Sequence, residues 1–156
     1  MSLFPAATDA EVPGALDRVV TDVAFVAPAR TVARSMAQVK SKAFLYHFTR
    51  VRPAIQMTKL GAFHAAEIPY VFGHVQGLMG MWEEDRALSK AMSVCWVQFA
   101  RTGDPNGESR PEWPAHDAVG DQYMEFGDKI KASSGLRKEA CDLFDKIQGE
   151  RFAGRN

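Results

Sequence analysis

The segment from Glu84 to Arg101 constrains this chain more than any other. Leu88, Met92, Cys95 and Phe99 recur at i, i+4, i+7 and i+11, the spacing of one face of an α-helix. Glu83, Glu84 and Asp85 stand at its start, where unpaired N–H groups carry positive partial charge, and Arg101 stands at its negative end. Gly103 and Pro105 stop it, because glycine takes left-handed backbone readily and proline has no N–H to continue the ladder. Such a stripe exposes several large side chains unless another layer packs on it.

Ala43 to Thr49 (AFLYHFT) is aromatic-rich and too short for an independent helix, which suits a buried strand, with Pro53 closing it. Gln122 to Phe126 reads as a second short strand, after a Pro/Gly-rich loop from Gly103 to Pro114. Helices are expected over Ala29–Val39, with Pro28 near the first turn, and over roughly Gly135–Ile147. The latter would present Leu136, Ala140, Leu143, Phe144 and Ile147 on one face, with Ser133 or Ser134 as its cap. Gly61 to Gly73 (GAFHAAEIPYVFG) follows neither period and reads as a loop leading into a short helical turn. Residues 1–20 read as an irregular lead-in and 149–156 as a polar tail, leaving 21–148 as the folded segment. There is no internal repeat and no low-complexity segment.

At 156 residues and 46% apolar, the chain has the size of one domain with a real core. Its 19 basic and 19 acidic residues cancel, so there is no electrostatic footprint for nucleic acid or an anionic membrane. The apolar runs fall far short of the ~20 residues of a membrane span. Met1 to Ala7 lacks the pattern of a secretory signal, so either the chain is intracellular or a signal lies elsewhere. Cys95 and Cys141 sit in helix-like patterns without metal-ligand spacing; buried free thiols in a reducing, cytoplasmic compartment are expected.

Most catalytic motifs fail on the residues their mechanisms need. The nearest match to a G-x-S-x-G elbow is Gly107-Glu108-Ser109-Arg110-Pro111, which ends in proline where the strained turn requires a small residue. His64 and Glu67 have H-x-x-E spacing but no second histidine beside them, so no metal is expected, and no glycine-rich phosphate loop calls for a cofactor. Of the four histidines, His47 lies in the apolar strand and reads as structural, while His74 and His116 read as exposed. His64 stands on a glycine-started loop just after a buried strand, where an α/β-hydrolase puts its general base; an ordinary loop histidine is the competing reading.

Gly61-Ala-Phe-His-Ala-Ala-Glu-Ile-Pro-Tyr-Val-Phe-Gly73 resembles the histidine motif of the type-B carboxylesterases, the group of para-nitrobenzyl esterases and cholinesterases. Further blocks fall in that family's order: Thr21 to Phe25 with Pro28, Phe44 to Phe48, Phe99-Ala-Arg-Thr-Gly-Asp-Pro-Asn106, Trp113-Pro114, Tyr123 to Phe126 and Cys141-Asp-Leu-Phe144. The likeness runs from about Thr21 to Ile147. His116 replaces the aromatic residue usual after the Trp-Pro block, and Phe144 stands where tryptophan is common.

The resemblance implies an α/β fold: the C-terminal part of an α/β-hydrolase, mostly helical with the last one or two strands of the sheet. It implies that His64 is the triad histidine, general base toward a serine in carboxylic ester hydrolysis, and that Glu67 is a buried carboxylate supporting the histidine loop. A helix-start carboxylate is the other reading of Glu67. In the family the serine elbow, the oxyanion loop and the triad acid precede the histidine by more residues than the 63 before His64. The chain alone is therefore expected to be inert, and Asp9, Glu11, Asp17 and Asp22 are not promoted to triad acid. The missing N-terminal part of the domain, or a second copy, is the expected partner, covering the strand edge and the helix stripe. Phe72, Met79, Met81 and Trp82 are candidates for the acyl pocket or for ordinary core. A non-catalytic binding or adhesion relative of the same fold is the alternative function.

Overall fold

The segment expected to be an irregular lead-in is largely helical. In the computed structural model, which describes residues 3–56, 60–74, 82–108 and 110–153, a 3-10 turn at Asp9–Glu11 leads into helix α1 (Val12–Thr21). Pro13 lies in the first turn of α1, where its missing N–H costs nothing. A wider, π-helical turn at Asp22–Val26 joins α1 to α2 (Ala27–Met36), so the helix expected from Ala29 begins earlier and runs on from α1. A 3-10 turn follows at Ala37–Val39. The remaining elements are β1 (Tyr46–Phe48), α3 (Pro53–Gln56), α4 (Ile68–Val71), α5 (Glu83–Thr102), β2 (Gln122–Phe126), β3 (Ile130–Ser134) and α6 (Lys138–Ala153).

These elements form two compact units. One contains the described residues of 1–43, 117–121 and 135–156 and is helical, built from α1, α2 and α6. Ion pairs to buried carboxylates tie it together: Arg137, itself exposed, grips Asp22 through Nε at 2.9 Å and Nη2 at 2.6 Å, and Asp22 is 1% exposed. Arg30, 2% exposed, donates to the Leu136 carbonyl at 2.8 Å and to Asp121 at 2.6 Å. The expected face of α6 holds only in part: Leu136 and Ala140 are buried and Phe144 is half-buried, whereas Leu143 and Ile147 are exposed. Ser133 and Ser134 do not cap α6, because they belong to β3; α6 also runs on to Ala153, within the segment read as a tail.

The other unit, residues 44–116 and 122–134, packs α5 on a three-stranded sheet of order β1-β2-β3. β1 pairs parallel with β2, placing Tyr46 opposite Met124 and Phe48 opposite Phe126, and β3 pairs antiparallel with β2. β3 leaves no strand signal in the sequence, because Ile130-Lys-Ala-Ser-Ser134 is poor in strand-forming residues and has no buried member. Phe48, Tyr70, Leu88, Met92, Cys95, Trp113, Met124 and Phe126 form the core. Thus the stripe of α5 finds cover within the chain at Leu88, Met92 and Cys95, while Phe99 is 46% exposed. Gly103 ends α5 at φ 75° and donates to the Phe99 carbonyl at 2.7 Å.

The Gly-Asp-Pro-Asn block beyond the cap has a visible task. Asp104 accepts from the backbone and side-chain nitrogens of Asn106, and Asn106 exchanges two hydrogen bonds with the Trp113 backbone at 2.7 and 2.9 Å. The Trp113 indole then donates to the Leu45 carbonyl at 3.0 Å and packs on Phe126 at 5.2 Å. His116, expected at the surface, is 6% exposed because its Nδ1 bonds the Gln122 carbonyl at 2.9 Å. Cys95 and Cys141 are buried and free. Among the described residues β1 has no partner strand on its other edge, and no helix is long and apolar enough to cross a membrane.

Candidate active site

His64 lies between β1 and α4 on a loop whose path requires left-handed backbone at two places, Gly61 (φ 61°) and Ala65 (φ 73°). Successive turns close it, from the Ala66 N–H to the Phe63 carbonyl at 3.0 Å and from the Ile68 N–H to the Ala65 carbonyl at 3.2 Å. Pro69 then lies in the first turn of α4, after Ile68. The outcome is that His64 is exposed at the protein surface. A cavity of about 170 Å³ opens beside it, lined among others by Arg52, Phe63, Ala65 and Tyr70.

Glu67 is half-buried and occupies the N-cap position of α4, yet its carboxylate makes no capping bond. Instead it accepts from the Tyr46 hydroxyl at 3.4 Å, linking the histidine loop to β1. Burial first, and then the Glu67 charge, push the Tyr46 hydroxyl up to about 12.

Asp85 was legible only as an acid at a positive helix start, but it is fully buried. Its Oδ1 accepts from Tyr70 Oη at 2.7 Å and from Arg50 Nε at 2.8 Å. Burial pushes the Asp85 carboxyl up, and the bonds from Arg50 and Tyr70 outweigh it, leaving the carboxyl below its ordinary range. A signal existed: residue 85 continues the stripe of 88, 92 and 95 by one helical turn, so a charge there faces the core and needs partners.

His47 is half-buried on β1, where burial lowers its pKa and Glu125, its register partner, partly restores it. His74, Phe72 and Trp82 are exposed; Met79, Met81 and Ser109 lie outside the described residues. Asp9, Glu11 and Asp17 are exposed in the helical unit, and Asp22 is occupied by Arg137. Among the described residues no group of three or more His, Cys, Asp or Glu side chains could hold a metal ion.

Tyr70 behaves as Tyr46 does: burial, then the bond to Asp85, push its hydroxyl up to about 12. Both hydroxyls have folded pKa values above the unfolded one of about 10. Their contribution to stability is fully present below pH 10 and is lost as pH rises toward 12. An absorbance titration at 295 nm should show two of the three tyrosines ionising near 12, one step vanishing in Tyr46→Phe and the other in Tyr70→Phe. Titration of both at the ordinary value in the folded chain would contradict these contacts.

The model of the carboxylesterase family matches residues 5–144, a span containing the histidine loop, the core strands and α5. The chain is 32% identical to carboxylesterase 5A of Canis lupus familiaris, over 79% of this chain and 23% of that protein. It is 33% identical to liver carboxylesterase of Sus scrofa (97% and 29%) and 34% identical to carboxylesterase 1C of Mus musculus (81% and 23%). It therefore spans about a quarter of the length of these relatives. The family implies an α/β-hydrolase fold, and the mixed sheet with its flanking helices is consistent with part of such a domain. On the extent of that match and the identity to three relatives, the chain belongs to the carboxylesterase family.

Proposed function

We propose that this chain is the histidine-bearing, C-terminal part of a carboxylic ester hydrolase that works through an acyl-serine intermediate. His64, exposed on a turn-built loop inside the family match, is the observation that carries the reading. Its imidazole takes the proton from a serine hydroxyl as the serine oxygen bonds to the ester carbonyl carbon, then gives that proton to the departing alcohol. In the second half it takes a proton from water, whose oxygen attacks the acyl carbon, and returns it to the serine as the acid leaves.

The serine and the triad acid come from outside these 156 residues on this reading. Supporting it, Ser35, Ser89 and Ser93 all spend their hydroxyls on backbone carbonyls and do not await a base. The partner is then the remainder of the hydrolase domain or, where that is absent, a second copy covering the β1 edge. Glu67 supports the loop through Tyr46.

A fluorophosphonate probe and p-nitrophenyl acetate test the proposal on the isolated chain and on the longer protein that carries it. The expected result is no labelled serine and no turnover in the chain alone, with both present in the longer protein. A stoichiometric label on any serine of this chain would overturn the division of labour.

A further inference from the structure

α4 has four residues, too few to hold a place by its own hydrogen bonds, yet it anchors the loop that carries His64. What holds it is α5. Ser89 Oγ donates to the Tyr70 carbonyl at 2.8 Å and Ser93 Oγ to the Val71 carbonyl at 2.7 Å. On the other side of the residue, the Tyr70 hydroxyl reaches Asp85, which Arg50 also grips, two residues beyond the end of β1. Arg52 lies over the Tyr70 ring at 5.5 Å. A continuous path thus runs from β1 through Arg50, Asp85 and Tyr70 to α4 and the histidine loop.

Stability gives little reason for this tie. A buried charge pair often gains nothing over well-packed apolar residues of similar volume, and Asp85 Oδ2 is buried without a hydrogen-bond partner among the described residues. What directed polar bonds add to a core is a single geometry, which apolar packing enforces less strictly. We propose that Tyr70 and Asp85 are positioning residues for His64: their hydrogen bond sets where α4 begins and so where the imidazole is presented. The proposal rests on the ester hydrolase reading above.

Tyr70→Phe is the sharper variant, since the ring and its packing stay and only the hydroxyl goes. In the longer protein, kcat for p-nitrophenyl acetate should fall about tenfold or more with KM within about twofold, because a small misplacement of a base costs rate and not binding. In the same protein, amide exchange should quicken across 61–67 while residues 92–99 of α5 keep their protection. Asp85→Asn should do the same and more strongly; if it fails to fold, Tyr70→Phe still decides. Parental kcat and unchanged loop exchange in folded Tyr70→Phe would overturn the proposal. His64→Ala in the same assay separates the two readings: full activity there sinks the hydrolase role, whereas loss there with a parental Tyr70→Phe sinks only the positioning role.

Discussion

On the proposed reading, replacing His64 with alanine in a longer hydrolase containing this segment is expected to lower kcat for ester hydrolysis by at least about 10³-fold, since a serine without its base retains only binding and oxyanion stabilisation. The fold should not notice. His64 is an exposed residue, and surface substitutions usually change stability by about 0.5 kcal/mol or less. Steady-state kinetics beside thermal melting read both quantities at once. His74→Ala is the natural control, another exposed histidine ten residues on that should leave kcat unchanged. Near-parental turnover by a well-folded His64→Ala protein would remove the general base from this loop.

The largest effect on stability is expected in the helical unit. Arg30→Ala should destabilise it by about 3–5 kcal/mol, the range for removing one partner of a buried ion pair and leaving the other charge stranded. Arg30 is 2% and Asp121 6% exposed, and Asp121 Oδ1 already lacks a partner among the described residues. The substitution also strips the Leu136 carbonyl of its donor. Arg34→Ala is the comparison: its pair with Asp145 is roughly a third exposed at both ends, where such pairs are worth about 0–1 kcal/mol. Urea unfolding monitored by far-UV circular dichroism measures the two. Similar small losses for both would mean that the Arg30 pair is not desolvated as the structure has it.

The histidine loop was legible because its information is short-range. Gly61, His64, Glu67, Pro69 and Gly73 all fall within thirteen residues, and the glycine turn and proline start act on their immediate neighbours. The link from Glu67 to Tyr46, twenty-one residues away, was not, because nothing in either segment names the other. His116 shows the same limit. Beside Pro114 and Ala115 it reads as a loop residue, and only the Gln122 carbonyl makes its burial affordable.

By itself, the sequence determined the elements whose signals are local: α5 with its acids, its apolar period and its Gly103 stop, the two strands β1 and β2, and the turn-rich loop of His64. Periodicity and capping act over one or two turns, so they survive being read without neighbours. Tertiary structure alone decided β3, whose Ser- and Lys-bearing residues become a strand because β2 offers them a ladder of backbone hydrogen bonds that any side chain permits. It decided also which acids go inside. Asp22 meets Arg137 across 115 positions and Asp121 meets Arg30 across 91, and a carboxylate is buried only where its partner arrives from elsewhere in the chain.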